Sequence, residues 1–265
     1  KYNLLYEAFG WEIPTYIHLP LIMGKDADGN VSKLSKRHGA TGFYDLIDEG
    51  YLPEAIINYI ALLGWCPKDN QEIFTLKELE KAFDISGISK SPAVFDYDKL
   101  SWFNGEYIKA MTPEKFTEVA MPYYKKVFGD KQMPYEKFAA ILQKRTTQLT
   151  QIPEMLDFFA ELPSYTKELF VNKKSKTNLE NSPVVLKEAY DRLKAMPEWN
   201  ETSIHDCLIN MAVEKELKNG TVMWPVRIAA AGKTVTPGGA VEILDILGRD
   251  ESLARLEKGM AILAE

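Results

Sequence analysis

The sequence predicts a mainly α-helical chain with a short α/β piece at its beginning. Three observations carry that expectation. Apolar residues recur at three- and four-residue spacing in nearly every segment from Phe43 onward. Most of those segments are bounded by helix start and stop residues, with Ser, Thr or Asp before them, Pro in the first turn, or Gly after. The continuous apolar run Ile17 to Met23 has the length of a buried strand and lies within the first 40 residues, whereas no strand-like alternation follows residue 112.

From the start, Asn3 to Phe9 carries a short apolar stripe that Gly10 ends, which predicts a helix. Ile17 to Met23 reads as the strand, and Lys25 to Asn30 as a turn. The loop Lys33-Leu34-Ser35-Lys36-Arg37-His38-Gly39-Ala40 comes next, holding three fixed positive charges within five residues. Lysine supplies a reaching point charge, and a hydroxyl with backbone N–H groups adds hydrogen bonds, a set that suits a polyphosphate whose charge changes during reaction. A solvated surface turn is the plain alternative. Pro53 then opens a helix through Ile56, Ile57, Tyr59, Ile60, Leu62 and Leu63, which Gly64 ends. Phe74 to Phe83 predicts a second helix and Asp96 to Lys109 a third, with Trp102 and Phe103 expected in the core.

Further helices are predicted to open at Thr112-Pro113, at Pro134, at Ser182-Pro183, at the Ser203-x-x-Asp206 box, at Thr236-Pro237 and at Asp250. Gly129 closes the first of these, and Gly220 the one after Ser203. The Pro134 helix is expected to run through Leu149, which places Arg145 on its apolar stripe. An arginine there either covers apolar surface with its stem or reaches a ligand. Asn172 to Asn181 is the least patterned stretch and the best linker candidate.

Composition narrows the function classes. With 265 residues there is room for about two domains, and 46% hydrophobic with 26% charged residues describes an ordinary soluble globular chain. No apolar run approaches the roughly 20 residues a bilayer requires, and Lys1-Tyr2-Asn3 begins no signal peptide. Cys66 and Cys207 lack C-x-x-C spacing and read as reduced, buried thiols of a cytosolic protein, with a lone disulfide as the alternative. No Cys/His quartet has zinc spacing. A net charge of −6 speaks against a dedicated nucleic-acid module. Local clusters can still bind RNA because screening confines their interactions to about 8–10 Å. The candidates are Lys33/Lys36/Arg37, Lys125/Lys126, and Lys167 with Lys173/Lys174/Lys176.

Lys33-Leu34-Ser35-Lys36-Arg37 resembles the Lys-Met-Ser-Lys-Ser signature of class I aminoacyl-tRNA synthetases, in the form used by bacterial glutamyl-tRNA synthetases. The likeness continues in order through His18-Leu19-Pro20-Leu21-Ile22, Gly50-Tyr51-Leu52-Pro53-Glu54-Ala55, Leu62-Leu63-Gly64-Trp65, Ser89 to Asp96 and Trp102-Phe103-Asn104-Gly105. Trp224-Pro225-Val226-Arg227 and Thr236-Pro237-Gly238-Gly239 extend it downstream. Such a resemblance implies four parts: the end of an α/β catalytic domain (1–42), a helical stem-contact region (43–111), and two helical anticodon-binding subdomains (112–176 and 177–265). The family's His-Ile-Gly-His-type signature would lie in an earlier part not present here.

The resemblance also implies roles. Lys36, assisted by Lys33, would contact ATP and stabilise charge during adenylate formation. Ser35 and Arg37 would complete the ATP-contacting loop, with Ser35 bracing it, and His38 would be structural. Arg145, in Arg145-Thr146-Thr147-Gln148-Leu149, would read the third anticodon base. The implied partners are tRNA(Glu), ATP with Mg²⁺, and L-glutamate, with no metal site in this segment, for a cytoplasmic monomer. The implied activity is a glutamate–tRNA ligase of which these residues alone would be inactive. Glutaminyl relatives end in β-barrels, which the helical pattern opposes. Truncated glutamyl-queuosine relatives lack an anticodon region. A non-catalytic tRNA-binding or adaptor module, or a plain helical scaffold, are the competing readings.

Overall fold

A computed structural model describes residues 1–39 and 42–265, and of Arg37 the backbone only. The chain forms two units, Lys1–Asn104 and Gly105–Glu265.

In the first unit, α1 (Tyr2–Phe9) stops at Gly10, whose φ of 66° is left-handed and suits a residue without Cβ. The apolar run that follows is not a buried strand. Ile17, Leu19 and Leu21 are each more than half exposed, and β1 spans only Ile22–Lys25. Pro20 explains part of this, because it has no N–H to give a ladder. β1 pairs antiparallel with β2 (Val31–Lys33), Met23 opposite Lys33, and parallel with β3 (Ala93–Val94), Ile22 opposite Ala93. Asp26 holds the β1–β2 turn, its Oδ1 accepting from the N–H groups of Asp28 at 3.1 Å and Asn30 at 2.8 Å.

Four helices complete this unit: α2 (Phe43–Asp48), α3 (Pro53–Gly64), α4 (Leu76–Ala82) and most of α5 (Tyr97–Ala110). Pro53 sits in the first turn of α3, as its fixed φ favours. Thr75 and Glu78 cap α4 reciprocally, the Thr75 N–H donating to Glu78 Oε2 at 2.7 Å and the Glu78 N–H to Thr75 Oγ1 at 3.3 Å. Leu46, Ile56, Tyr59, Phe95, Leu100 and Phe103 form the core, with Ile22 and Leu34 packed on it. Asn104 is fully buried and both ends of its amide are satisfied, Oδ1 by the Leu52 N–H at 2.8 Å and Nδ2 by the Gly50 carbonyl at 3.2 Å. Trp102, by contrast with Phe103, is 43% exposed. It faces away from the core it was expected to join.

The second unit is helical throughout. α6 (Pro113–Phe128), α7 (Tyr135–Leu142) and α8 (Ile152–Ala160) pack through aromatics, Phe138 lying 5.2 Å from Phe128 and 5.1 Å from Phe159 between ring centroids. α9 (Asn181–Ala195), α10 (Glu201–Glu214), α11 (Asn219–Ala231), α12 (Ala240–Leu247) and α13 (Arg249–Ala264) follow. Arg255 of α13 is buried. Its Nη1 donates to the carbonyls of Phe158 at 2.7 Å and Ala230 at 2.9 Å, near the C-terminal ends of α8 and α11, where a cation is favoured.

Several helix boundaries differ from the sequence reading. α7 ends at Leu142 rather than continuing to Leu149. The cap of α10 is Asn200, whose Oδ1 accepts from the Ser203 N–H at 2.9 Å, so Ser203 lies in the first turn. Gly220 opens α11 instead of closing α10. Thr236 turns its hydroxyl to the Gly238 carbonyl at 2.7 Å, and α12 begins only after Gly239. Asn172 to Asn181 is built structure and no loose linker: Asn172 and Thr177 exchange amide hydrogen bonds of 3.0 Å, and Thr221 Oγ1 donates to the Ser175 carbonyl at 2.7 Å. No helix of the described residues is long and apolar enough to cross a membrane.

Candidate functional site

The cationic loop of the first unit leaves β2 through Leu34. That side chain packs on the core, and its N–H donates to the Ile22 carbonyl at 3.0 Å. Anchoring Leu34 inward leaves Lys33, Ser35 and Lys36 on the exposed side. No carboxylate among the described residues lies within ion-pair distance of either lysine. Lys36–His38 forms a single 3-10 turn. Ser35 directs its amide and hydroxyl at His38, 3.0 and 3.2 Å from Nδ1, so its polar groups brace the turn. The side chain of Arg37 and the whole of Ala40 lie outside the described residues.

Arg145 is not on a helix stripe. It sits in the turn after α7, its N–H donating to the Leu142 carbonyl at 2.8 Å and its side chain exposed. Thr146 occupies the buried position instead, its hydroxyl returned to the Leu142 carbonyl at 3.0 Å. The Leu142 carbonyl thus takes the Arg145 and Thr146 N–H groups and the Thr146 hydroxyl together, in the tightened turn that follows α7. Arg145 lines a cavity of about 730 Å³ with Gln151, Met155, Leu169, Thr234 and Pro237. A second cavity of about 360 Å³ is lined by Ser175, Met223, Trp224, Arg227 and Glu242.

Trp224 and Arg227 stand between these cavities. The Arg227 guanidinium lies 4.7 Å from the Trp224 ring centroid, a cation–π distance, and Nη2 donates to the Thr234 carbonyl at 3.0 Å. Trp224 Nε1 donates to the Leu169 carbonyl at 2.9 Å, so both side chains of the second cavity are fixed to backbone lining the first. Arg227 Nε is buried without a hydrogen-bond partner. Burial, and after it the neighbouring Arg145 charge, pull the Arg227 pKa down. Arginine nevertheless remains charged in proteins. The two guanidinium charges lie close enough to repel, and neither is in ion-pair contact with a carboxylate of the described residues, although Glu154 lines the first cavity with Arg145 and Glu242 the second with Arg227. The basic turn carrying exposed Lys173, Lys174 and Lys176 adjoins the second cavity through Ser175. Sequence reasoning gave Trp224 and Arg227 no role, although their three-residue spacing on a helix puts them on one face.

An exposed lysine-bearing loop on a small α/β sheet and two arginine-lined cavities in a helical unit are thus the two candidate sites. Family comparison supplies the protein class. Residues 1–102 match the catalytic domain of class I tRNA synthetases for glutamate and glutamine, and residues 115–260 match the anticodon binding domain. The chain belongs to the glutamate–tRNA ligase family of these class I synthetases. It is 52% identical to the glutamate–tRNA ligase of Clostridium kluyveri over 98% of this chain and 52% of that one. It is 50% identical to the enzyme of Clostridium tetani over the same shares. The crystal structure of a glutamate tRNA ligase from Elizabethkingia meningosepticum, in complex with its amino acid, superposes with a TM-score of 0.80 at 30% identity, covering 98% of this chain and 54% of the other. The chain spans about half the length of the curated relatives it matches.

Proposed function

We propose that this chain contributes the ATP-contacting loop and the tRNA-recognition surfaces of a glutamate–tRNA ligase, which activates L-glutamate as its adenylate and transfers it to tRNA(Glu). The Arg145–Arg227 pair, neither member of which makes an ion pair among the described residues, supports this reading most directly. Planar cations next to an indole suit unpaired bases, which stack on aromatic and guanidinium faces while their edges accept hydrogen bonds. Residues 112–176 and 177–265 would together take the anticodon loop, and residues 43–111 the stem. In the first unit, Lys36 and Lys33 would meet the ATP phosphates, with Ser35 and Arg37 completing the loop. Adenylate formation needs positioning and charge stabilisation rather than a protein nucleophile, and a pair of exposed ammonium groups on an anchored loop supplies both. Mg²⁺ would enter with ATP, and the enzyme would work as a cytoplasmic monomer.

The test is tRNA binding by the 265-residue chain across a salt series, with glutamate, glutamine and unrelated tRNAs compared. We expect preference for tRNA(Glu) and a clearly negative salt slope, because displaced counterions accompany each phosphate contact. A slope near zero, or equal affinity for unrelated tRNAs, would remove the tRNA-recognition role.

A further inference from the structure

His38 lies immediately after the lysine-bearing loop, and its ring is enclosed on three sides. Nδ1 is 3.0 Å from the Ser35 amide nitrogen, 3.2 Å from Ser35 Oγ and 3.1 Å from the Ser35 carbonyl oxygen. Nε2 is 3.3 Å from Ser32 Oγ on β2. The ring also presses on the β1 backbone: a Cβ built at Gly24 would stand 2.6 Å from His38 Cγ and 2.7 Å from Nδ1. Only glycine leaves that face open.

The contacts favour one tautomer. A hydroxyl can rotate to donate or accept, but a backbone N–H can only donate and a carbonyl only accept. The Ser35 N–H at 3.0 Å from Nδ1 asks for a lone pair there, with the ring proton on Nε2 and Ser32 Oγ accepting it, while the Ser35 carbonyl at 3.1 Å would accept only from the opposite tautomer. The opposite tautomer would oppose two N–H groups at 3.0 Å and keep only the Ser35 carbonyl and hydroxyl contacts. In the favoured form His38 ties β2 to the N-cap of the 3-10 turn, with β1 as its floor. Lys33 and Lys36 flank Ser35, the residue so held.

We infer that His38 is a positioning residue that latches the lysine loop against the β1–β2 hairpin, so that Lys33 and Lys36 are presented to a polyphosphate in one geometry. The inference rests on the proposed role of this loop in holding ATP phosphates. His38 touches no phosphate in this role. It acts by denying the loop other conformations, which a bound ligand would otherwise have to remove at the expense of affinity.

Two measurements on the 265-residue chain test the latch without any ligand. Nitrogen NMR of the neutral His38 ring should show the proton on Nε2, and amide exchange at Ser35 should accelerate at least about tenfold in His38→Ala, the factor expected when about 1.4 kcal/mol of local protection is lost. His38→Asn places Oδ1 where Nδ1 stood and should restore most of that protection. Gly24→Ala keeps the histidine but displaces its ring, and should reproduce the His38→Ala behaviour. A third measurement uses inorganic tripolyphosphate as the probe, followed at the Lys36 amide. Affinity should fall severalfold in His38→Ala and Gly24→Ala and recover in His38→Asn, with Lys36→Ala as the reference loss. If Lys36→Ala leaves tripolyphosphate binding unchanged, the phosphate role of the loop fails, while the ring and exchange data still judge the latch. A proton found on Nδ1, unaltered Ser35 exchange in His38→Ala, or a phosphate affinity that responds to Lys36→Ala but not to His38→Ala would overturn the inference.

Discussion

Arg145→Ala separates recognition from stability because the structure places this side chain outside the folding ledger. Arg145 is exposed, makes no ion pair among the described residues, and its main-chain bond to Leu142 survives truncation. Surface changes of this kind stay within about 0.5 kcal/mol. Loss of the like charge beside Arg227 acts in the stabilising direction, since Arg145 pulls the Arg227 pKa down. The melting temperature should therefore move by about 2 °C or less. A guanidinium that reads a base edge carries about 1–3 kcal/mol, or roughly a 5- to 150-fold loss of affinity. The assay is a matrix: wild type and Arg145→Ala, each titrated with tRNA(Glu) and with transcripts changed at one anticodon position at a time. The expected result is a loss confined to one position, where the variant no longer distinguishes the native base. A uniform loss across all transcripts would make Arg145 a phosphate contact. A drop in melting temperature well beyond 2 °C would make it structural, and either result refutes the reasoning.

Three further outcomes follow from the structure. Lys36→Ala, in a protein that joins this chain to the remainder of a class I catalytic domain, should slow ATP–pyrophosphate exchange on the order of 100-fold while tRNA affinity holds within about twofold; equal losses in both would argue against a phosphate role. Tyr124 is fully buried and its hydroxyl has no hydrogen-bond partner, so Tyr124→Phe should leave stability unchanged or raise it by about 1 kcal/mol in urea unfolding. Destabilisation beyond about 1 kcal/mol would mean that the hydroxyl is satisfied. Tyr59 accepts from the Asp96 N–H at 2.6 Å, and burial pushes its pKa from 10.0 up to about 12. The folded state thus keeps a proton that the unfolded chain releases. This contribution, at most about 2–3 kcal/mol, is fully present below pH 10 and lost as pH rises towards 12. Tyr59→Phe should flatten that alkaline loss of stability in the first unit, and an unchanged pH profile would contradict it.

The helical body was legible because its signals are local. Thr112-Pro113 and Pro53 start helices where their backbone preferences say they should, and Gly10 and Gly129 stop them. Where two capping residues compete, the pattern misleads: Asn200, a cap at least as strong as Ser203, takes the start of α10. The run Ile17 to Leu21 misleads for a different reason, since composition reports apolarity but not what covers it.

Arg145 lies beyond the end of its predicted helix, in a turn where Thr146 is the buried residue and its hydroxyl returns to Leu142. The same turn creates the candidate site. On a continued helix, Arg145 would have lain along an apolar stripe with its charge turned to cover a core. On the turn it lines the larger cavity, close enough to Arg227 for the two charges to repel. Nothing in the spacing of residue 145 announces residue 227, because they lie 82 positions apart on separate elements and meet only in the folded unit. A net charge of −6 is compatible with the proposed tRNA contact. A polyanion need not find a basic protein, only a place where cations are held together without ion-pair partners, since screening confines interactions to about 8–10 Å.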